Sequence, residues 1–143
     1  MSIETAIRTI LTTDATVSAL VGSRVYPTGI PQGQSGSAIV YQQIDGRQDQ
    51  VCDGLTGLDE DIYQSTAWTI AGNEAAPAAA LTLIRALRAA FFPANQPYTG
   101  VVGDVTIKAV EIAAGIRDAS FLTDNIAEQR YGKQMDLTIS YTT

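Results

Sequence analysis

Apolar and polar side chains alternate without a break from Gln134 to Thr142. Met135, Leu137, Ile139 and Tyr141 fall on one side, with Gln134, Asp136, Thr138, Ser140 and Thr142 on the other. A period of two is that of a strand with one apolar and one wet face, and this pattern predicts a strand paired into a sheet. At the other end of the chain the period is helical. Ile3, Ala6, Ile7, Ile10 and Leu11 form one stripe behind Ser2, a good N-cap, with Glu4 in the first turn. Thr13 or Asp14 restarts the chain as a second cap. Val17, Leu20 and Val21 then make a short helix that Gly22 closes.

Between these ends the pattern switches repeatedly. Arg24 to Pro27 reads as a short extended link, and Thr28 to Ser37 as a loop of Gly, Gln, Ser and Pro. Ala38 to Ile44 predicts a first strand and Ile62 to Ala71 a second, antiparallel to it. The polar run from Asp45 to Asp61 between them is read as a long loop. Asn73 is placed to cap a third helix, in which Pro77 is tolerable only near the first turn. Leu81, Ile84, Leu87 and Phe91 set that helix's buried stripe, Arg85 and Arg88 face outward, and Pro93 and Pro97 end it. Val101 to Ile112 predicts a third strand, and Ala113 to Tyr131 a second long polar connection before the closing strand. The order α-α-β-β-α-β-β predicts an α+β fold, an antiparallel sheet of about four strands with helices packed on one face. With no repeat and no boundary in sight, residues 1–143 are expected to be a single domain.

Composition narrows the function classes. There is no histidine, which removes the commonest general base and the commonest metal ligand. One cysteine, Cys52, excludes an intramolecular disulfide and a cysteine zinc site. The net charge of -6 and the absence of any basic run leave no nucleic-acid footprint. Only 17% of residues are charged, and a surface short of charge points to an oligomer. The N-terminus lacks the basic and apolar regions of a signal peptide. The apolar stretch from Glu74 to Phe92 contains Arg85 and Arg88 and is a poor membrane span, so a soluble protein made in a cytoplasm is expected.

Candidate chemistry is thin. Asp49, Asp53, Gly54 and Glu60 match the first, fifth, sixth and twelfth positions of a calcium loop, but Val51 supplies no oxygen at the third and both flanks read as strands. The carboxylate run Asp59-Glu60-Asp61 is read as the charged end of a loop. Tyr63 and Trp68 lack the neighbouring cations of a base-stacking surface and read as core aromatics. No glycine pattern for phosphate is present. Apolar residues set in polar loops call for a partner surface, so Arg47, Asp49, Leu55, Leu58, Phe121 and Leu122 are the candidate contact residues.

Several segments in order carry a family resemblance: Glu4 to Leu11, Val17 to Pro27, Ile30 to Gly33, Ala38 to Ile44, Ala67 to Ala75, Leu81 to Leu87 and Met135 to Tyr141. Together they resemble the tail-terminator, or tail-completion, proteins of long-tailed bacteriophages. The resemblance implies a small α+β fold, no catalysis and no cofactor. It implies a homo-oligomeric ring, usually a hexamer, that caps the tail tube, receives the head connector or stopper, and lets DNA pass its lumen without specific binding. Its place would be the tail or neck of the virion, reached from the host cytoplasm. A head-side neck ring is the alternative within that system. From other classes, a small calcium-binding module on Asp49 to Glu60 and a carboxylate enzyme remain as alternatives.

Overall fold

The computed structural model describes residues 2–31, 36–52, 54–70, 76–121 and 130–143. Helix α1 (Ile3–Thr13) buries Ile3, Ala6, Ile7, Ile10 and Leu11, the whole expected stripe. Ser2 caps it by accepting the Thr5 N–H at 3.2 Å. Asp14 ends α1 and caps α2 (Ala15–Val21), its side chain accepting the Val17 N–H at 3.0 Å. Gly22 closes α2 at φ 59, a left-handed conformation that a side chain would strain.

The sheet has six strands rather than about four: β1 (Val25–Pro27), β2 (Ala38–Val51), β3 (Gly54–Ile70), β4 (Gly100–Val102), β5 (Val105–Phe121) and β6 (Arg130–Thr142). Their order is β1-β2-β3-β6-β5-β4. β1 runs parallel to β2 and every other pairing is antiparallel. The two additional strands are the outermost and span three residues each, too few to show a period.

Where the residues are described, both expected long loops are instead strand. β2 and β3 continue as one hairpin to Val51 and Gly54, and β5 runs on to Phe121 opposite Arg130. The physical reason is the same in each. The hydrogen bonds of a ladder come from the backbone, so a polar hairpin with both faces in water has no apolar face to reveal it. β5 also carries three register shifts, between Ile107 and Ala109, Ile112 and Ala114, and Ala114 and Arg117, which scramble its alternation.

Helix α3 (Ala76–Phe91) lies over β3 and β6. It buries Ala80, Leu83, Ile84, Ala86, Leu87, Ala90 and Phe91 and leaves Arg85 and Arg88 exposed. Its expected cap, Asn73, lies outside the described residues. A 3-10 turn, Pro93–Asn95, follows the helix. The three helices pack against one face of the sheet, where Tyr41, Tyr63, Ala67, Met135, Leu137, Ile139, Ile107 and Val110 are buried in one core. On the opposite face Ile62, Gln64, Trp68, Gln134, Asp136, Thr138 and Ser140 are half-buried, with no helix over them among the described residues. None of the described helices is long and apolar enough to cross a membrane.

Candidate functional site

The β3 ladder with β6 is regular from Leu58 to Ile70, so Asp59, Asp61 and Tyr63 lie on one face of β3, the face the helices cover. Glu60 lies on the other. There it pairs with Arg47 of β2 at 3.0 Å, an exposed contact whose contribution is at most about 1 kcal/mol. The run of three carboxylates is therefore split by the pleat, and two of the three acids meet the N-terminus of α1.

An open cleft of about 620 Å³ forms at that meeting point. Its walls include Glu4 of α1, Gln43 and Gly46 of β2, Asp59, Asp61 and Tyr63 of β3, and Tyr141 of β6. Asp61 is 7% exposed, and its Oδ2 accepts the Tyr141 hydroxyl at 2.8 Å. Burial raises its pKa above the ordinary carboxylate value and the nearby Asp59 raises it further, against the lowering effect of the Tyr141 hydrogen bond. The Tyr141 hydroxyl is held protonated by burial and by that same carboxylate. Tyr41 of β2 ties down the start of α1, its hydroxyl donating to the Glu4 carbonyl at 3.0 Å. The Tyr63 hydroxyl is the exception. Tyr63 is 1% exposed and its hydroxyl has no hydrogen-bond partner. Burial and the charges of Glu4 and Asp61 push its pKa up. An unsatisfied buried hydroxyl in a wall of acids costs stability, and it is the kind of group that a ligand's donors satisfy.

The expected contact residues do not converge. Arg47 and Asp49 are exposed on β2; Arg47 holds Glu60, and Asp49 accepts the Thr56 hydroxyl at 3.0 Å. Leu55 and Leu58 lie on β3, Leu58 half-buried, and Phe121 ends β5 at the far end of the sheet. Leu122 lies outside the described residues. The calcium reading meets a geometric obstacle, since Arg47 pairs with Glu60 and Gln48 with Asp59 across a ladder. A paired ladder does not wrap a cation as a calcium loop does. Asp53 lies outside the described residues, and no group of three ligating side chains is placed to hold a metal among the described ones. Missing from the candidate set were Glu4, Asp59, Asp61, Tyr63 and Tyr141. The i, i+2 spacing of Asp59, Asp61 and Tyr63, continued as a strand, was the signal for three of them.

Comparison with known proteins decides the family. The sequence profile of the family described as tail completion protein gp17 matches residues 5–113. The chain belongs to the tail completion protein gp17 family. It is thus a phage tail completion protein, a structural component of the virion. The fold is shared with a chain from the virion of a native gene transfer agent particle, at a TM-score of 0.69 and 16% sequence identity, over 99% of this chain and 96% of that one. No characterised protein matches the chain by sequence. The part of the chain beyond residue 113 holds the end of β5 and all of β6, so the matched span includes the cleft's β2 and β3 walls but neither Tyr141 nor Glu4.

Proposed function

We propose that this tail completion protein assembles into a homo-oligomeric ring, a hexamer, that caps the tail tube and receives the head connector or stopper. The observation that carries the reading is the family match over residues 5–113. The geometry suits it. The β2–β3 hairpin runs beyond its last pairing with β6, Leu58 opposite Thr142, and every residue from Gln42 to Gln50 is exposed. Such an arm has no core of its own to fill and is free to contact neighbouring proteins through Arg47, Asp49, Leu55 and Leu58. β5 and β6 pair as far as Phe121 and Arg130 at the opposite end of the sheet, and Phe121 and Leu122 are the further contact residues proposed. An arm at each end provides one for the tube side and one for the head side. The lumen passes DNA without binding it, in keeping with a net charge of -6.

Sedimentation of the purified protein over a range of concentrations, with electron microscopy after addition of assembled tail tubes, tests the reading. A closed ring, in solution or seated at the end of a tube, is expected. A protein that stays monomeric at every concentration and leaves tube ends bare overturns the ring. Rings that bind heads and ignore tubes place the protein on the head side of the neck instead.

A further inference from the structure

The acidic cleft has a counterpart on the same chain. Among the described cations, Arg47, Arg117 and Lys133 each pair with an acid. Arg8 and Arg24 each donate to a backbone carbonyl. Lys108 on β5 does neither, and nor do Arg85 and Arg88. They sit three residues apart on the exposed side of α3, a spacing that puts both on one helix face, and α3 contains no acid at all. At the cleft the imbalance is reversed. Neither Glu4 nor Asp59 is ion-paired among the described residues, Asp61 has one oxygen bonded to Tyr141, Arg47 at the cleft is taken up by Glu60, and Arg8, one turn on from Glu4, donates to the Ser23 carbonyl.

We propose that Arg85 and Arg88 of one copy enter the cleft of Glu4, Asp59 and Asp61 on the next copy, joining the subunits head to tail. This rests on the ring reading above and names its interface. The unpartnered Tyr63 hydroxyl points to the ligand's chemistry independently of the acids. A guanidinium has N–H donors and no acceptor, so it satisfies two carboxylates and a tyrosine oxygen together. A metal ion is a poorer fit, because no three ligating side chains converge there among the described residues. The two patches differ, so the contact is heterologous, the class that generates rings when the rotation closes. Backbone pairing between copies is disfavoured by contrast. The free edge of β2 beyond Tyr41 is interrupted by register shifts between Gln43 and Asp45 and between Gln48 and Gln50, and that of β5 by three. Side-chain charge is left to select the neighbour.

Charge exchange tests the contact. Glu4→Lys with Asp59→Lys makes a basic cleft, and Arg85→Glu with Arg88→Glu makes an acidic helix. Each double variant alone is expected to assemble at least tenfold more weakly than the wild type in sedimentation, with or without tail tubes. An equimolar mixture of the two, and a single chain carrying all four substitutions, are expected to recover assembly. Lys108→Glu, an exposed cation elsewhere on β5, is expected to change nothing. Recovery in the mixture separates a lost contact from a lost fold, since a misfolded chain is not rescued by its complement. Double variants that still form wild-type rings overturn this interface and leave the ring standing. A mixture that stays dissociated overturns the interface too. A wild type that never assembles, on tubes or off them, overturns the ring and the interface together.

Discussion

The two long hairpins of the sheet are built alike and charged differently. In β2–β3, residues 42–64 hold Asp45, Asp49, Asp53, Asp59, Glu60 and Asp61 against the single cation Arg47, which accounts for most of the chain's net charge of -6. In β5–β6, residues 105–142 hold five acids, Glu111, Asp118, Asp124, Glu128 and Asp136, against four cations, Lys108, Arg117, Arg130 and Lys133, and two of the aspartates are matched across the strand pair. Asp136 holds Arg117 at 2.8 Å, and Asp118 holds Lys133 and, at 3.4 Å, the Tyr131 hydroxyl. The glycines tell the same story. Gly132 lies under the Trp68 ring and against the Ala119 carbonyl, with no room for a Cβ, whereas Gly46 faces the ends of the Gln43 and Asp61 side chains. One hairpin nearly balances its charge and the other carries a large excess of acid. Acidity spread evenly would serve solubility alone, but acidity gathered at one hairpin and one cleft is a binding surface.

Substitution at the two glycines should break that comparison first. A Cβ at position 132 would lie 2.8 Å from the Ala119 carbonyl oxygen and 2.8 Å from Trp68 Cε3, and a ladder carbonyl has little freedom to retreat. Gly132→Ala is expected to destabilise by about 3 kcal/mol in denaturant unfolding. Tyr141→Phe comes next, with an expected loss of about 2 kcal/mol, because it removes a buried hydrogen bond to a charged acceptor. Gly46→Ala is expected to cost only about 1 kcal/mol. Its close contacts, Gln43 Nε2 at 2.6 Å and Asp61 Oδ1 at 2.8 Å, belong to side chains, and that of Gln43 is exposed and flexible. Equal losses at the two glycines would remove the distinction between a self-satisfied hairpin and an adaptable one.

Sequence pattern reported the parts of this molecule that bury a face and missed the parts that do not. The stripe of α1, the Asp14 and Gly22 punctuation of α2 and the alternation of β6 were all legible, because each reflects a side chain moving between water and core. The extension of β2 from Asp45 to Val51 was not. Both its faces are wet, and backbone pairing with β3 holds it without leaving a mark on residue type. β1 escaped for a different reason, since three residues paired in parallel need a partner far along the chain. The cleft was half legible. Asp59, Asp61 and Tyr63 share a face once the strand is extended back through the acidic run, but Glu4 and Tyr141 join them only through the packing of α1 on β2, β3 and β6.

The finest separation between the hairpins is the sign of a pH effect. The pKa of Asp61 is raised in the folded protein, first by burial, so its protonated form favours folding. That stability is fully present below the ordinary value of 3.8 and lost as pH rises through the raised value. At neutral pH the ionised carboxylate is a burden. Asn keeps an acceptor for the Tyr141 hydroxyl without the charge, so Asp61→Asn is expected to raise Tm at pH 7 by no more than about 4 °C, with the gain shrinking toward pH 3. Asp118 is the reverse case. Its hydrogen bond and charge contact with Lys133 hold its pKa below 3.8, so it stabilises the fold above the ordinary value and ceases to as pH falls through the lowered one. Asp118→Asn should therefore lower Tm slightly at pH 7 and converge on the wild type in acid. Thermal melts of both variants from pH 3 to pH 7 decide the matter. Two difference curves of the same sign would mean that Asp61 is as well satisfied within the fold as Asp118. The cleft would then have no unmet charge for a neighbouring arginine to answer.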